Sequence, residues 1–272
     1  MYNFNYHRPR NATEALAAIT GGEDAQFLAG GMTLIPTMKQ RLARPSDLVD
    51  LADLPELKGV REAQGTVVIG AMTTHAEVSD AELIRQNCPA LATLAGNIGD
   101  PQVRSRGTLG GSIANNDPAA DYPAACIALK AVIITSKREI PADDFFTGLF
   151  STALEHGELI TAVRFPPTDL AAYQKFPNPA SRYAIVGVFV AKTNGDTRVS
   201  VTGAGQDGVF RLYDLERSLL SDWDADAADT VPVAKDGLNS DIHAGSEYRA
   251  HLIKVMAKRA IVAASSIPKP IP

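Results

Sequence analysis

The sequence predicts an α+β fold built from three units, residues 1–55, 56–172 and 173–272. Three observations carry this. Strand and helix patterns alternate through the first unit, and strand patterns dominate from Leu57 to Phe165. Two proline clusters, Pro166-Pro167 and Phe176-Pro177-Asn178-Pro179, bracket a crossing into the third. With 272 residues, 45% of them hydrophobic, the chain is long enough to bury a sizeable core divided among such domains.

The chain opens with a strand pattern at Phe4–Tyr6. Asn11 then acts as a helix N-cap, with Glu14 three residues on, before an alanine-rich helix that stops at Gly21-Gly22. Gln26–Ala29 is an apolar strand running into Gly30-Gly31, and Leu34, Met38 and Leu42 repeat every four residues in a helix expected from about Thr33. Leu48–Leu51 is a further strand. The order sets a glycine turn at a strand end facing a helix start, where free N–H groups attract anions. In the second unit, Thr66–Gly70 and Leu159–Phe165 alternate and Ala131–Thr135 is β-branched, which predicts strands, with helices over about 74–87 and 89–95. Asp121 leads a helix at Tyr122–Leu129, so the residues alone favour reading it as a cap. The third unit offers strands at Tyr183–Thr193 and Thr197–Thr202 joined at Asn194-Gly195-Asp196, and a short helix carrying Leu212, Leu215 and Leu219. A loop-like stretch over 221–240 and a last helix at Glu247–Ala264 follow.

The run Gly96–Asp121 is least like a core, mixing glycines with small polar residues and two arginines. Gly107, Gly110 and Gly111 lack Cβ atoms, so the backbone there is free to take positive φ and approach another group with its N–H donors exposed. This is anion-binding chemistry, unless the run is only a long surface loop. Gly30-Gly31 with Thr33 repeats the theme, and a pyrophosphate clamped between the two loops would fit. The hexapeptide Gly203-Ala204-Gly205-Gln206-Asp207-Gly208 matches G-x-G-x-x-G after a strand, but the acidic strand end needed ~20 positions on is missing from the strandless 221–229. It is expected to be a turn-rich connection between strand and helix.

Composition excludes several classes. The net charge is −5 and basic residues are scattered apart from pairs such as Lys137-Arg138 and Lys258-Arg259, so nucleic acid is not an expected partner. The apolar run Ala184–Ala191 is far shorter than the ~20 residues of a membrane span, and Met1-Tyr2-Asn3-Phe4 lacks a charged-then-apolar signal, so a cytoplasmic location is expected. The two cysteines, Cys88 and Cys126, form no C-x-x-C and are expected to be buried thiols, unable to hold an iron–sulfur cluster. His7, His75, His156, His243 and His251 show no metal-ligand spacing and are expected to be structural or solvated. No G-K-[ST] follows a glycine cluster and no G-x-S-x-G occurs, which leaves hydrolase readings without an anchor.

Five separated segments carry a resemblance: Ala29–Pro36, Gly70–His75, Ile98–Arg104, Thr108–Ser112 and Asp117–Pro123. Together they resemble the FAD-binding medium subunit of molybdenum hydroxylases, the xanthine dehydrogenase family, with the nearest pattern in the medium chain of aerobic carbon monoxide dehydrogenase. Asp241-Ile242-His243, Ser246, Tyr248-Arg249 and the last helix extend it over essentially the whole chain. The resemblance implies two α/β subdomains forming a vanillyl-alcohol oxidase (PCMH-like) FAD module, then a C-terminal domain with a three-stranded antiparallel sheet and helices. It implies a complex in which a large subunit holds the molybdopterin cofactor and a small subunit holds two [2Fe-2S] clusters, assembled as a dimer of heterotrimers. Electrons would reach FAD on this chain and leave to a quinone, NAD or another acceptor.

The resemblance also implies a set of cofactor contacts. Ala29, Gly30, Gly31, Met32 and Thr33, with Thr108, Leu109, Gly110, Gly111 and Ser112, would hold the FAD pyrophosphate and ribityl chain through backbone N–H groups and hydroxyls. Asp121 would hydrogen-bond the cofactor, Ile160 would pack on it, and Lys175 falls near a cofactor-contacting lysine, although Pro177 and Pro179 disturb its spacing. Tyr183 would lie over the isoalloxazine ring. No catalytic residue or metal ligand belongs to this chain, and nothing resembles the cysteine-bearing insertion that holds an extra [4Fe-4S] cluster in some relatives. FAD would be its sole cofactor. Two other readings are a flavin-free scaffold subunit and a stand-alone NAD-binding dehydrogenase using Gly203–Gly208. The substrate is set in another polypeptide, so carbon monoxide, purines, aldehydes and N-heterocycles all stay open.

Overall fold

The computed structural model describes residues 1–266. Its first unit comprises β1 (Asn5–His7), α1 (Ala12–Gly21), β2 (Ala25–Leu28), α2 (Leu34–Lys39) and β3 (Asp47–Asp50). The Asn11 side chain accepts the Glu14 N–H at 2.8 Å and starts α1. β3 lies between β1 and β2 and pairs parallel with both, so the chain leaving β2 at Gly30 emerges at the carboxyl edge of a parallel sheet, where α/β sheets place ligands. Leu42 does not belong to α2 as its spacing suggests. The helix closes at Lys39, Arg41 takes a left-handed φ of 61°, and Leu42 is left exposed.

The second unit contains β4 (Val60–Ala63), β5 (Thr66–Gly70), α3 (His75–Asp80), α4 (Glu82–Asn87), α5 (Pro89–Gly96), α6 (Pro101–Arg104), α7 (Leu109–Asn115) and α8 (Tyr122–Ala128). It continues with β6 (Val132–Thr135), β7 (Glu139–Pro141), α9 (Ala142–Phe145), β8 (Phe146–Gly148), β9 (Ser151–Thr152) and β10 (Ile160–Phe165). Five strands form an antiparallel sheet in the order β4-β5-β10-β6-β7, and β8 and β9 make a small hairpin. The helix expected over 74–87 is two, because Ala81 turns to ψ 118° between α3 and α4. The glycine-rich run is no simple loop either: it holds α6 and α7.

In the third unit, β11 (Leu170–Pro177), β12 (Ala184–Thr193), β13 (Asp196–Thr202) and β14 (Phe210–Arg211) precede α10 (Tyr213–Ser221), α11 (Ala227–Thr230) and α12 (Ser246–Ser266). The antiparallel sheet has four strands, β11-β12-β13-β14, in place of the expected three. The crossing expected between the proline clusters is itself β11. Prolines sit only at its edges, and Pro177, which has no N–H to donate, falls where the ladder shifts register. β12 is buried along nearly its whole length because α12 covers one side of the sheet and α5 and α8 pack against the strands as well. Tyr173 and Phe189 of this sheet pack into the core of the second unit, and Leu57, Met72 and Leu159 of the second join the core of the first. The three units are therefore welded through shared apolar surface. No helix among the described residues is long and apolar enough to cross a membrane.

Candidate functional site

A cavity of about 590 Å³ opens where the units meet, inside the ~300–1,000 Å³ range of small-molecule sites. Ala29, Gly30, Gly31, Met32, Thr33, Thr108, Gly110, Gly111, Ser112, Asp121, Ile160 and Tyr183, all singled out from the sequence, line it. Leu109 and Lys175 do not. Leu109 is fully buried in the core of the second unit, where its side chain contributes about 1.5–3 kcal/mol by burial. Lys175 lies behind Asp121.

The first glycine loop supplies donors. Among the described residues, the N–H groups of Gly30, Gly31, Met32 and Thr33 donate to no protein acceptor, and Gly31 takes a φ of +73° that turns the chain into α2. Successive free amides of this kind make an anion-binding concavity. Gly30 is required for a different reason: a Cβ there would lie 2.0 Å from the Arg106 carbonyl oxygen and 2.8 Å from Gly107 Cα. The two glycine loops therefore touch each other, backbone to backbone.

The second loop corrects the expectation of exposed N–H donors. Leu109 donates to the Thr73 carbonyl at 3.0 Å, Gly110 to Ala71 at 2.8 Å and Ser112 to Thr108 at 3.0 Å, while the Thr108 hydroxyl accepts the Gly111 N–H at 3.1 Å. None of Gly107, Gly110 and Gly111 adopts positive φ. Their lack of a Cβ serves packing, since a Cβ at Gly110 would meet Ala71 Cβ at 2.6 Å and one at Gly107 would meet His75 Nε2 at 2.6 Å. This loop lines the cavity with Gly107, Thr108, Gly110, Gly111 and Ser112.

Asp121 is no cap either, because it makes no side-chain bond to the start of α8. Its carboxylate, 4% exposed, accepts a hydrogen bond from the Tyr173 hydroxyl and sits 3.0 Å from Lys175 Nζ, which also donates to the Asn97 carbonyl at 2.8 Å. Burial pushes the Asp121 carboxyl above the usual carboxylate range, against the pull of the Lys175 charge and the Tyr173 hydrogen bond. Tyr183 stands 45% exposed at the cavity edge on a loop where Asn178 Oδ1 accepts the N–H groups of Ala180 and Ser181. Burial, then the nearby Asp117 and Asp121 charges, raise its hydroxyl pKa.

Among the lining residues outside the expected set of cofactor contacts are His75 and Glu158. His75, at the start of α3, is buried, its Nδ1 has no hydrogen-bond partner among the described residues, and its ring stands 5.4 Å from that of Tyr122. Burial and then the Arg104 charge lower its pKa to about 4, so the ring is neutral at pH 7. Burial works against ionised Glu158, yet hydrogen bonds from Arg138, the Glu155 N–H and Thr135 hold it down at about 2. It clasps the loop leading into β10 and so fixes Ile160. His75 closes the Gly70–His75 segment that carries part of the resemblance, which was its cue in the sequence; Glu158, a lone glutamate ahead of a strand, offered no spacing of its own.

Gly203–Gly208 lies elsewhere. The Gly203 N–H donates to the Pro118 carbonyl at 2.8 Å, its own carbonyl accepts from Arg249 at 3.0 Å, and the chain runs on into the antiparallel β14. A dinucleotide fold needs a helix and a parallel strand at that point. The segment is a turn-rich connection, but it joins two strands, β13 and β14, where a strand-to-helix connection was expected.

Four unshared donors beside apolar and aromatic lining such as Phe27, Leu51, Ile160 and Tyr183 are what an anionic, ring-bearing ligand such as FAD requires. Comparison with known proteins agrees. Residues 2–168 match the family described as the FAD binding domain in molybdopterin dehydrogenase. The chain is 35% identical to the carbon monoxide dehydrogenase medium chain of Hydrogenophaga pseudoflava, covering 96% of each. It is 33% identical to the nicotine 6-hydroxylase medium subunit of Paenarthrobacter nicotinovorans, over 96% of this chain and 97% of that one. Among solved structures, reconstituted CO dehydrogenase from Oligotropha carboxidovorans superposes with a TM-score of 0.90 at 35% identity, over 97% of this chain and 98% of that one. An oxidoreductase chain with an FAD-binding domain, it belongs to the family of FAD-binding medium subunits of molybdenum hydroxylases.

Proposed function

We propose that this chain is the electron-relay subunit of a molybdenum hydroxylase, receiving electrons from [2Fe-2S] clusters on a small subunit and delivering them to an external quinone, NAD or other acceptor. A large subunit would carry the molybdopterin and the substrate, in a cytoplasmic dimer of heterotrimers. The observation that carries the reading is the row of unshared amides Gly30–Thr33 on a cavity lined also by Tyr183 and Asp121. FAD bound there would supply the redox chemistry of the relay.

The residues of this chain do the holding. The amides of Gly30–Thr33 would hold the pyrophosphate, the Thr33 and Ser112 hydroxyls would add donors, and Ala29, Met32 and Gly110-Gly111 would shape the wall. Asp121 offers a fixed acceptor, with Lys175 balancing its charge from behind. Ile160 and Tyr183 shield the ring system from water. With only Cys88 and Cys126, both buried, the chain has no thiolate set for a cluster of its own, which supports electron entry from another polypeptide.

The test is co-purification with the partner subunits followed by anaerobic addition of the complex's reducing substrate. The flavin visible band should bleach along with the cluster bands and return when acceptor is added. An assembled complex without flavin, or one whose clusters are reduced while the flavin stays oxidised, would contradict the relay.

A further inference from the structure

We propose that Tyr173 is a positioning residue that sets the Asp121 carboxylate at the cavity wall, and that Gly187 is a glycine in order to admit the Tyr173 hydroxyl. The inference rests on the FAD-binding reading above and names how one of its contacts is held. Tyr173 and Lys175 are two residues apart on β11 and so project from the same face of the strand. Both reach Asp121, the tyrosine through its hydroxyl to Oδ1 and the lysine to both oxygens, at 3.0 and 3.2 Å. Asp121 lines the cavity whereas Tyr173 and Lys175 do not, so whatever they do for a ligand passes through that carboxylate.

The two donors have different jobs. Lys175 balances charge, but its ammonium is a point charge shared with the Asn97 carbonyl. Tyr173 is rigid: 4% exposed, it stacks on Phe189 with ring centroids 6.0 Å apart, and its hydroxyl has Asp121 as its acceptor. A hydroxyl on an immobile ring is the group that dictates where the carboxylate points. The ladder makes room for it. Gly187 faces Lys175 across the strands and is the diagonal neighbour of Tyr173, and a Cβ there would lie 2.2 Å from the Tyr173 hydroxyl oxygen. An alanine at 187 would push the hydroxyl away from Asp121.

The experiment is a double-mutant cycle on the flavin-depleted full-length chain, reading FAD affinity by fluorescence, the visible spectrum of bound flavin, and the melting temperature of the apoprotein. Tyr173→Phe keeps the stacked ring and removes the hydroxyl. It should weaken FAD roughly tenfold, the loss of one hydrogen bond to a charged group, and alter the bound-flavin spectrum at saturation. In an Asp121→Asn background the same change should cost less than about twofold, because its route to the ligand has already been removed. Gly187→Ala should weaken FAD in the parent and lose much of that effect when combined with Tyr173→Phe. A bound-flavin spectrum identical to the parent's overturns the inference even if Asp121→Asn does not fold. So does a tenfold loss that persists in the Asp121→Asn background, the mark of a purely structural tyrosine. A parent chain that takes up no FAD overturns the binding reading itself, whereas FAD uptake with an additive cycle overturns only this inference.

Discussion

Replacing Gly30 with alanine adds one methyl group at the point where the two glycine loops touch. The methyl would sit 2.0 Å from the Arg106 carbonyl oxygen, 2.7 Å from its carbon and 2.8 Å from Gly107 Cα. All three are backbone atoms, so no rotamer change relieves the contact, and the loops must separate by more than 1 Å to reach an ordinary contact of roughly 3.4 Å. Overpacking of this kind costs about 1–3 kcal/mol. Gly30 has no positive φ, so the cost is steric and not conformational. The same displacement moves the amide row away from the second loop. Loss of even one charge-assisted hydrogen bond to a phosphate, about 1.5–3 kcal/mol, weakens FAD binding by roughly ten- to a hundredfold. The assay is FAD titration by fluorescence, run well below the melting temperature measured on the same apoprotein. Gly21→Ala, where a Cβ meets nothing within 4 Å, is the control and should leave affinity unchanged. A Gly30→Ala chain that binds FAD as the parent does would refute the assignment of the pyrophosphate to this loop.

Two pH effects follow from buried groups in different windows. Glu158 titrates near 2 in the fold against an ordinary 4.5, so its stabilisation is complete above about 4.5 and lost as pH falls through about 2. Glu158→Gln should cost about 2 kcal/mol at pH 7, after allowance for solvent screening at the cavity rim, and almost nothing at pH 2; urea unfolding at both values checks this. His75 is lowered from 6.5 to about 4, so the fold binds its neutral form and loses stability as pH falls from about 6.5 through about 4. His75→Gln should abolish that limb, worth up to about 3 kcal/mol, and leave the lower one intact; an unchanged acid limb in thermal melts from pH 7 to 4 would contradict the buried neutral ring.

Local signals were legible where local physics decides. Asn11 caps α1 as its spacing with Glu14 implies, and the strand–glycine–helix order around Gly30 is visible because each part occupies only a few residues. The Gly96–Asp121 run was harder, since glycine disfavours helix and α7 is held by tertiary bonds, such as Gly110 to the Ala71 carbonyl, that no periodicity records. The need for a Cβ-free Gly30 could be read, but not that its neighbour would be Arg106 in place of a ligand. Asp121 resembled a cap because its true partners sit on β11, a strand that the flanking prolines disguised as a crossing. His75 carried no metal spacing, and its role as a buried neutral wall residue depends on Gly107 and Tyr122, which only the fold brings beside it.

Backbone amide chemical shifts during FAD titration of the uniformly 15N-labelled chain test the central claim most directly. Gly30, Gly31, Met32 and Thr33 should show the largest amide shifts, saturating with the same affinity as the change in flavin fluorescence, while Gly205 and Gly208 stay still. Saturating FAD that leaves those four amides unmoved, or that shifts Gly203–Gly208 in their place, would contradict it.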